Sequence, residues 1–395
     1  MTPRLSSFLD AARWIAATLV VVSHVRLLFL AYKGSVQHLT APIKALYAVA
    51  NVGHEAVVVF FVISGFLVGG LSIKKIRQGR FSLGDYTAAR FSRIYVVLVP
   101  ALLVGGCLDF AGLHWANASG LYTVISPLGD GSLNFKHSIA DNLNFPTFVG
   151  NLLMLETIVT ERFGSNGPLW SLVYEWWYYV LFAAGAVAVT ARRPLTRVAG
   201  AVLGVIGLFA LPPVIILWGT IWVLGAAAAV YVASSLPKPP LWLGILAMLV
   251  GGGIYRHMHS VELAMPEHSW HAFLSDLSVT IGFCILTMSC ARAGKPVPGA
   301  RFHRWAADFS YSTYLVHFPF VICVGTFAAG LFGVPLCGQP TPQSLALAGA
   351  VLALALAYAF AFSRLTEAHT PKVRDLLQRV ITRTPRAVAV EQAGS

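Results

Sequence analysis

Charged residues are scarce in this chain: they make up 11% of its 395 residues, whereas hydrophobic residues make up 57%. Soluble globular proteins carry about 25% charged residues, so this composition excludes an ordinary soluble enzyme. Apolar runs of about 20 residues, the length of a helix that crosses a bilayer, recur along the sequence. The alternating pattern of a membrane β-barrel is not visible. The sequence therefore predicts an all-α, polytopic transmembrane helical bundle.

Recognisable metal-binding and nucleotide-binding motifs are also lacking. The five cysteines form no CxxC pair and no Cys/His spacing suited to a metal, and most of them lie inside apolar runs. Walker, GxGxxG, GxSxG and HExxH motifs do not occur. We therefore predict no metal site and no tightly bound cofactor. Two HxxxxD spacings, His271 with Asp276 and His303 with Asp308, are attributed to chance.

The net charge of +12 is not typical of a nucleic-acid-binding protein here, because the basic residues cluster in short loops between apolar runs. Such loops face the cytoplasm and the anionic lipid of the inner leaflet. The strongest cluster predicts one cytoplasmic loop between the second and third runs: Lys74, Lys75, Arg77, Arg80, Arg90 and Arg93. We expect membrane lipid, and no nucleic acid, among the partners of this protein.

The number of crossings follows from the positions of the basic loops. The apolar runs lie at about 14–32, 52–71, 94–113, 146–158, 168–190, 198–211, 214–234, 241–254, 272–290, 306–332 and 344–365. Every basic loop falls on the cytoplasmic side only if 146–158 is a short re-entrant or half-span segment. The sequence then predicts about ten spans, with both termini cytoplasmic, in the cytoplasmic (inner) membrane.

The same topology divides the chain into a membrane domain and a tail. Residues 1–370 are expected to form one transmembrane domain, and residues 371–395 a basic, partly disordered cytoplasmic tail. Residues 114–145 and 255–271 are expected to be the two longest extracytoplasmic segments.

Arg13 and His24 are ionisable residues in the first run, where such side chains are costly and often functional. Eleven residues are about three helical turns and a rise of about 16 Å, so the two side chains share one face. Arg13 is either a cytoplasmic anchor or a ligand for substrate. We predict a functional role for His24, with a structural hydrogen bond as the alternative.

A second polar stripe opens the run at 168–190. Ser171, Glu175 and Tyr178 follow one another at helical spacing, and Trp170 precedes them. An aromatic belt at the membrane interface would explain the aromatic residues, but it would not need Glu175. We therefore predict a functional role for Glu175, or a buried structural one.

The run at 306–332 carries a third stripe, in which Ser310, Tyr314 and His317 share one face. His317 reaches the predicted depth of His24, and catalytic and structural roles are equally open for it. Arg90 and Arg93 lie on one face and suit a phosphate-bearing ligand, although every cytoplasmic loop here is basic.

Taken together, these motifs resemble the acyltransferase-3 family of integral-membrane O-acyltransferases over nearly the whole chain. The matching residues are Arg13-x10-His24; Gly53 with Phe60-Phe61-Val62-Ile63-Ser64-Gly65-Phe66; Arg90-Phe91-Ser92-Arg93; Pro168-Leu169-Trp170-Ser171 with Glu175, Tyr178 and Tyr179; Ser310-Tyr311 with Tyr314, Leu315 and His317; and Glu367 before Pro371. The sequence departs from the family at Val58-Val59, where an acidic residue is common, and Glu55 lies one turn earlier.

The resemblance implies transfer of an acyl group, most often acetyl, from cytoplasmic acyl-CoA to a hydroxyl of a surface polysaccharide, glycolipid or other glycan-like acceptor. The SGNH-type hydrolase-like domain of some members is not seen, so a transfer that takes place outside would be completed by this protein alone or with a separate extracytoplasmic transferase as partner.

On this basis His24 is the predicted general base, or a residue that carries the acyl group transiently, and Glu175 and His317 are the other predicted catalytic residues. Arg13, Arg90 and Arg93 would bind the donor, and the remaining predicted substrate-binding residues are Trp170, Ser171, Tyr178, Ser310 and Tyr314. The mechanism expects Glu175 to orient the imidazole of His24 or to hold the acceptor. A transporter of an acyl donor or lipid-linked sugar, and a non-catalytic scaffold, are the alternatives.

Overall fold

The computed structural model describes residues 1–124, 137–261 and 270–383. The middle of the predicted outer segment 114–145, the residues 262–269 of the segment 255–271, and the tail after residue 383 lie outside the described residues. Within the described part, the chain is folded into helices, and the only β-pairings are two isolated bridges. The predicted all-α class is confirmed.

Fifteen α-helices follow one another in the described ranges. They are α1 Pro3–Phe29, α2 Ala41–Ala50, α3 Gly53–Ser64, α4 Gly70–Arg77, α5 Leu83–Trp115, α6 Phe145–Leu152, α7 Leu169–Thr190, α8 Pro194–Ala210, α9 Pro213–Ala233, α10 Leu241–Val261, α11 Trp270–Cys290, α12 Ala300–Ala307, α13 Ser310–Phe332, α14 Pro342–Leu365 and α15 Thr370–Arg383.

Nine helical segments of the described residues are long and apolar enough to cross a membrane. Together with the apolar helix α8, which has 17 residues, these segments equal the ten predicted spans in number. The run at 146–158 yields only the 8-residue helix α6, about 12 Å long, which is too short to cross about 30 Å of hydrocarbon. The protein is a polytopic helical bundle, as predicted.

The starts of the long helices are fixed by local sequence. The Thr2 hydroxyl accepts a hydrogen bond from the backbone N–H of Leu5 at the start of α1, and Ser82 does the same for Asp85 at the start of α5. Thr341 and Ser344 form a reciprocal capping box at the start of α14. These side chains satisfy backbone donors that a helix leaves unpaired at its first turn.

Helices α3 and α4 are joined without a break by a π-helical turn at Gly65–Gly69. A Cβ at Gly65 would lie 1.9 Å from the carbonyl oxygen of Trp222 on α9, and one at Gly225 would lie 2.3 Å from the carbonyl oxygen of Val62. Only glycine permits this approach of two backbones.

Helix α1 lies at the centre of the bundle, where it packs against α3, α11, α12, α13 and α14. Helix α13 also packs along α5, and α15 folds back against α5. The predicted tail thus begins with a helix, Thr370–Arg383. This packing brings the polar stripes of α1, α7 and α13 together.

Candidate active site

Most of the residues that the sequence singled out surround one cavity of about 710 Å³ between α1, α3, α5, α7 and α13. The predicted residues that line it are Arg13, Arg90, Arg93, Ser171, Glu175, Ser310 and Tyr314. The aromatic motif of α3 contributes Phe60, Phe61 and Ser64 to the wall. Four predicted residues lie outside this lining: Trp170, Tyr178, His24 and His317.

One end of the cavity is strongly basic. Besides the three predicted arginines, Arg364 and Arg374 line it. Sequence reasoning assigned Arg374 only to the basic tail and did not single out Arg364. Arg374 reaches the cavity because α15 returns onto α5, and Arg364 reaches it at the end of α14, which packs against α13. No local sequence pattern reveals these contacts.

Arg93 is held by a carboxylate. Its guanidinium Nη1 lies 2.6 Å from Oε1 of Glu367, and its charge sits 4.5 Å above the centre of the Tyr311 ring. The other carboxylate oxygen of Glu367 accepts hydrogen bonds from the backbone N–H and the hydroxyl of Ser312. These contacts join α5, α13 and the end of α14, so Arg93 has a structural role at the cavity wall.

Arg13 and Arg90 are engaged more weakly. Arg13 donates a hydrogen bond of 3.3 Å to the carbonyl oxygen of Ala307, and Arg90 lies 5.5 Å from the centre of the Tyr179 ring. Among the described residues, no carboxylate lies within salt-bridge distance of either guanidinium. Both cations therefore have charge available for an anionic ligand in the cavity.

Glu175 does not reach His24, which corrects the expectation that it orients this imidazole. Its carboxylate accepts a hydrogen bond from the Tyr179 hydroxyl one turn along α7. The Tyr179 hydroxyl is in turn 3.1 Å from the Ser64 hydroxyl, which accepts a hydrogen bond from the Trp222 indole N–H. Glu175 is thus fixed in the wall of the cavity.

Glu175 lies away from His24 and His317 because of the register of α7 against α13. The Ser171 and Tyr314 hydroxyls are 2.6 Å apart, and the Tyr314 hydroxyl donates to the carbonyl oxygen of Pro168. Because the two helices run in opposite directions, Glu175 lies about one turn to one side of this contact and His317 about one turn to the other.

His24 and His317 form a pair. Nδ1 of His24 is 2.8 Å from Nε2 of His317, and the two rings are stacked with their centres 5.0 Å apart. The prediction that they lie at the same depth is confirmed by this contact. His317 is fully buried, whereas His24 is partly accessible. Phe318 packs on the His24 ring at 4.5 Å.

The hydrogen bonds of His317 indicate which ring nitrogens carry protons. Its Nδ1 lies 3.0 Å from the carbonyl oxygen of Thr313 and 2.8 Å from that of Tyr314, and carbonyl oxygens only accept. We therefore assign the proton of the neutral ring to Nδ1, which leaves Nε2 to accept from Nδ1–H of His24. Nε2 of His24 then carries a lone pair that can take up a proton.

The two remaining predicted residues have aromatic surroundings. The Trp170 ring packs against His54, Phe61 and Tyr174. The Tyr178 ring packs edge-on against Phe61, and among the described residues its buried hydroxyl has no hydrogen-bond partner. Trp170 thus belongs to a second cluster of aromatic rings.

Sequence reasoning missed the buried polar residues of the segment between α6 and α7. Glu156 is buried, and Asn166 donates to the carbonyl oxygen of Leu315. Met154 and Thr157 have φ values of 59° and 64°, which non-glycine residues seldom adopt. No periodic pattern marks such a segment, so only tertiary contacts identify it.

The fold is that of a multi-pass membrane protein, and comparison with known proteins gives its chemistry. The acyltransferase-3 family, described as an acyltransferase domain, matches residues 6–362. The chain belongs to this family, and the resemblance seen in its motifs is confirmed.

A curated relative agrees with this assignment. An O-acetyl transferase of Shigella phage Sf6 is 24% identical over 333 residues, which are 80% of this chain and 84% of that protein. No solved structure matches the chain. The protein is therefore a multi-pass membrane O-acyltransferase.

Proposed function

We propose that the enzyme takes an acetyl group from acetyl-CoA, bound from the cytoplasmic side of the inner membrane. It transfers the group to a hydroxyl of a glycan or glycolipid on the opposite side. The transferred group follows from the O-acetyl transferase of Shigella phage Sf6 to which the chain is similar. The donor and the orientation rest on the cavity and its charges, and the glycan acceptor rests on the resemblance of the motifs to the acyltransferase-3 family.

The basic end of the cavity supports a phosphate-bearing donor. Arg13, Arg90, Arg364 and Arg374 face a space of about 710 Å³, within the usual range of about 300–1,000 Å³ for ligand sites. Arginine is suited to bidentate contacts with phosphate. Since this end also adjoins the basic loop after α4, the positive-inside rule supports a cytoplasmic opening.

The observation that carries the proposal is the reach of the cavity toward the histidine pair. Its lining includes Ser171 and Tyr314, and Tyr314 lies less than one turn before His317 on α13. The Tyr314 and His317 rings are 6.2 Å apart. A thioester extended from the arginines to this end would lie beside the residues best placed to activate a hydroxyl.

In the proposed reaction, Nε2 of His24 accepts the proton of the acceptor hydroxyl. The hydroxyl oxygen attacks the thioester carbonyl carbon, the carbon–sulfur bond breaks, and the CoA thiolate takes the proton from His24. His317 orients the ring of His24 through their hydrogen bond, as the third member of a catalytic triad does. Glu175 acts in the wall of the donor cavity.

Release of free CoA by the purified enzyme in lipid nanodiscs tests the donor. The wild type should consume acetyl-CoA when acceptor glycan is supplied, and His24→Ala should not. Mass spectrometry of cell-surface glycans, with and without the gene, should show loss of a 42-Da increment in the deletion strain, as expected for an acetyl ester (~42 Da, one acetyl replacing one hydrogen at the hydroxyl). Unchanged surface glycans would exclude the proposed acceptor class.

A further inference from the structure

A second cavity shares part of its wall with the arginine-lined cavity. It has a volume of about 640 Å³ and lies between the start of α1, the π-helical turn, α4 and the end of α9. Leu67 and Leu71 line both cavities. The surrounding helices belong to candidate spans, Ala41–Arg77 and Pro213–Ala233 among them. We call this second cavity the α4 groove.

The α4 groove carries positive charge and no negative charge. Lys74 and Arg77 are the only charged side chains in its lining, within the part of the chain that the structure describes. Both side chains are exposed, and neither forms an ion pair with a described carboxylate. Most of the remaining lining is apolar, including Leu5, Phe66 and Val230. The groove therefore suits a ligand that has both an anionic and an apolar part.

The charged and apolar residues of the groove are separated along the helix axis. Leu67, Leu71, Lys74 and Arg77 follow one another at helical spacing, so they lie on one face. The eleven residues from Phe66 to Arg77 correspond to a rise of about 16 Å. This rise is about half of the roughly 30 Å hydrocarbon core of a bilayer. The groove thus extends over the depth of one leaflet, with its two cations at the membrane surface.

Close contact between α4 and α9 closes one side of the groove. A Cβ at Gly70 would lie 2.2 Å from Cβ of Ala229, and one at Gly69 would lie 2.7 Å from Cβ of Ala226. The two helices therefore touch at this step. Leu71 is 56% exposed, so the groove is open at the surface of the bundle, where the acyl chains of the bilayer lie.

The two cations complement the headgroup of an anionic lipid. In the proposed orientation they face the cytoplasmic leaflet, which is the leaflet rich in anionic lipid. Arginine is suited to bidentate contacts with phosphate, and lysine adds a point charge. The ammonium group of a zwitterionic lipid would be repelled by Lys74 and Arg77. A headgroup with a net negative charge is therefore favoured.

We propose that the α4 groove binds one anionic glycerophospholipid of the cytoplasmic leaflet. The lipid phosphate contacts Arg77 and Lys74, and an acyl chain lies along Leu71, Leu67 and Phe66. The proposal depends on the proposed orientation of the protein, and it does not depend on the donor or the acceptor. Because Leu67 and Leu71 also line the arginine-lined cavity, the bound lipid packs against one wall of that cavity.

Native mass spectrometry of the full-length protein tests this site. The protein is equilibrated with equal amounts of phosphatidylglycerol, phosphatidylethanolamine and phosphatidylcholine. The wild type should retain one phosphatidylglycerol in excess over the two zwitterionic lipids. Glycerol 1-phosphate should not displace this lipid, because it has a phosphate but no acyl chain. Equal retention of the three lipids, or a dimer without bound lipid, would overturn the proposal.

Variants of the two cations locate the bound lipid. Lys74→Gln/Arg77→Gln should weaken the retention of phosphatidylglycerol by about 10-fold or more, the usual effect of a lost hydrogen bond to a charged group. Arg192→Gln/Arg193→Gln is the matched control, since it removes two exposed cations that do not line the groove. Equal retention of phosphatidylglycerol by the two double variants would show that the lipid binds elsewhere.

Thermal unfolding in nanodiscs measures the same binding independently. Replacing phosphatidylcholine by phosphatidylglycerol should raise the thermal midpoint of the wild type and of the Arg192/Arg193 control, because a ligand stabilises the folded state that binds it. The Lys74/Arg77 variant should show a smaller rise. A rise of the same size in all three proteins would contradict the site. Neither measurement uses acetyl-CoA, so failure of the proposed donor would leave the lipid site standing.

Discussion

Nδ1 of His24 and Nε2 of His317 lie 2.8 Å apart, although 293 positions separate the two residues in the sequence. This contact couples the central helix α1 to α13. It gives His24 a fixed ring orientation without a carboxylate, because the carbonyl oxygens of Thr313 and Tyr314 set the proton position of His317.

The first prediction concerns this pair. His24→Gln keeps a hydrogen-bonding group but cannot accept the proton, so acyl transfer should fall by about 10²–10⁴-fold, the usual contribution of a general base. His317→Phe should lower the rate by a smaller factor, about 10- to 100-fold, as losing an orienting partner does.

Steady-state transfer rates and acetyl-CoA binding check this prediction, with His114→Ala as a matched control. Full activity of His24→Gln would make His24 a structural donor and would move the search for the base to His317.

The second prediction concerns Arg90 and Arg374, two of the arginines that line the cavity. Arg90→Ala and Arg374→Ala should raise the KM for acetyl-CoA with little change in thermal stability, because neither residue forms a buried ion pair with a carboxylate. Isothermal titration with CoA and with dephospho-CoA shows whether phosphate is the group contacted. Unchanged affinity in both variants would remove the donor assignment.

The third prediction assigns Arg93 to stability. Arg93→Ala leaves Glu367 without its cation, and breaking a buried pair in this way costs about 3–5 kcal/mol, less here because the Arg93 side chain is 32% exposed. The thermal midpoint should fall by several degrees, and Arg93→Ala/Glu367→Gln should recover part of the loss. Arg90→Ala, on the same helix, is the control. Equal midpoints for the two single variants would contradict this role.

Glu156 predicts a pH dependence of stability. It lies between α6 and α7, outside the candidate spans, and burial raises its pKa from 4.5 to about 8, although Arg162 nearby favours the charged form. The folded state therefore binds the proton more tightly than the unfolded state does. Its contribution to stability is lost as the pH rises from about 4.5 to about 8.

Thermal unfolding between pH 4 and pH 9 measures this effect. The free energy of unfolding of the wild type should fall across this range, by at most about 1.4 kcal/mol per unit of pKa difference, and the thermal midpoint should fall with it. Glu156→Gln should flatten the fall and be the more stable protein at pH 9. A variant with the same pH profile as the wild type would show that Glu156 is ionised in the fold.

The last prediction tests orientation. In a background without reactive cysteines, Lys33→Cys should react with a membrane-impermeant maleimide added to intact spheroplasts, whereas Ser234→Cys should react only after lysis. Both positions are exposed. The opposite labelling pattern would mean that the bundle has the inverse orientation in the membrane and that the arginine-lined cavity opens outside.

The sequence was sufficient for the class of fold and the family. It also identified seven residues that line the cavity, because helical spacing decides which side chains share a face. It could not pair His24 with His317, since that contact depends on how α1 and α13 pack. It also could not predict that Glu175 bonds to Tyr179, because the register of α7 against α13 follows from contacts such as Ser171 with Tyr314.

The glycine contacts between α3 and α9 have a mechanical consequence. With Gly65 against the backbone of Trp222 and Gly225 against that of Val62, neither helix can slide or tilt past the other without backbone overlap. The two helices must therefore move as one rigid body. Any widening of the cavity during turnover must therefore come from movement of its other walls. One of these is α15, which covers the basic end and has few tertiary neighbours besides α5.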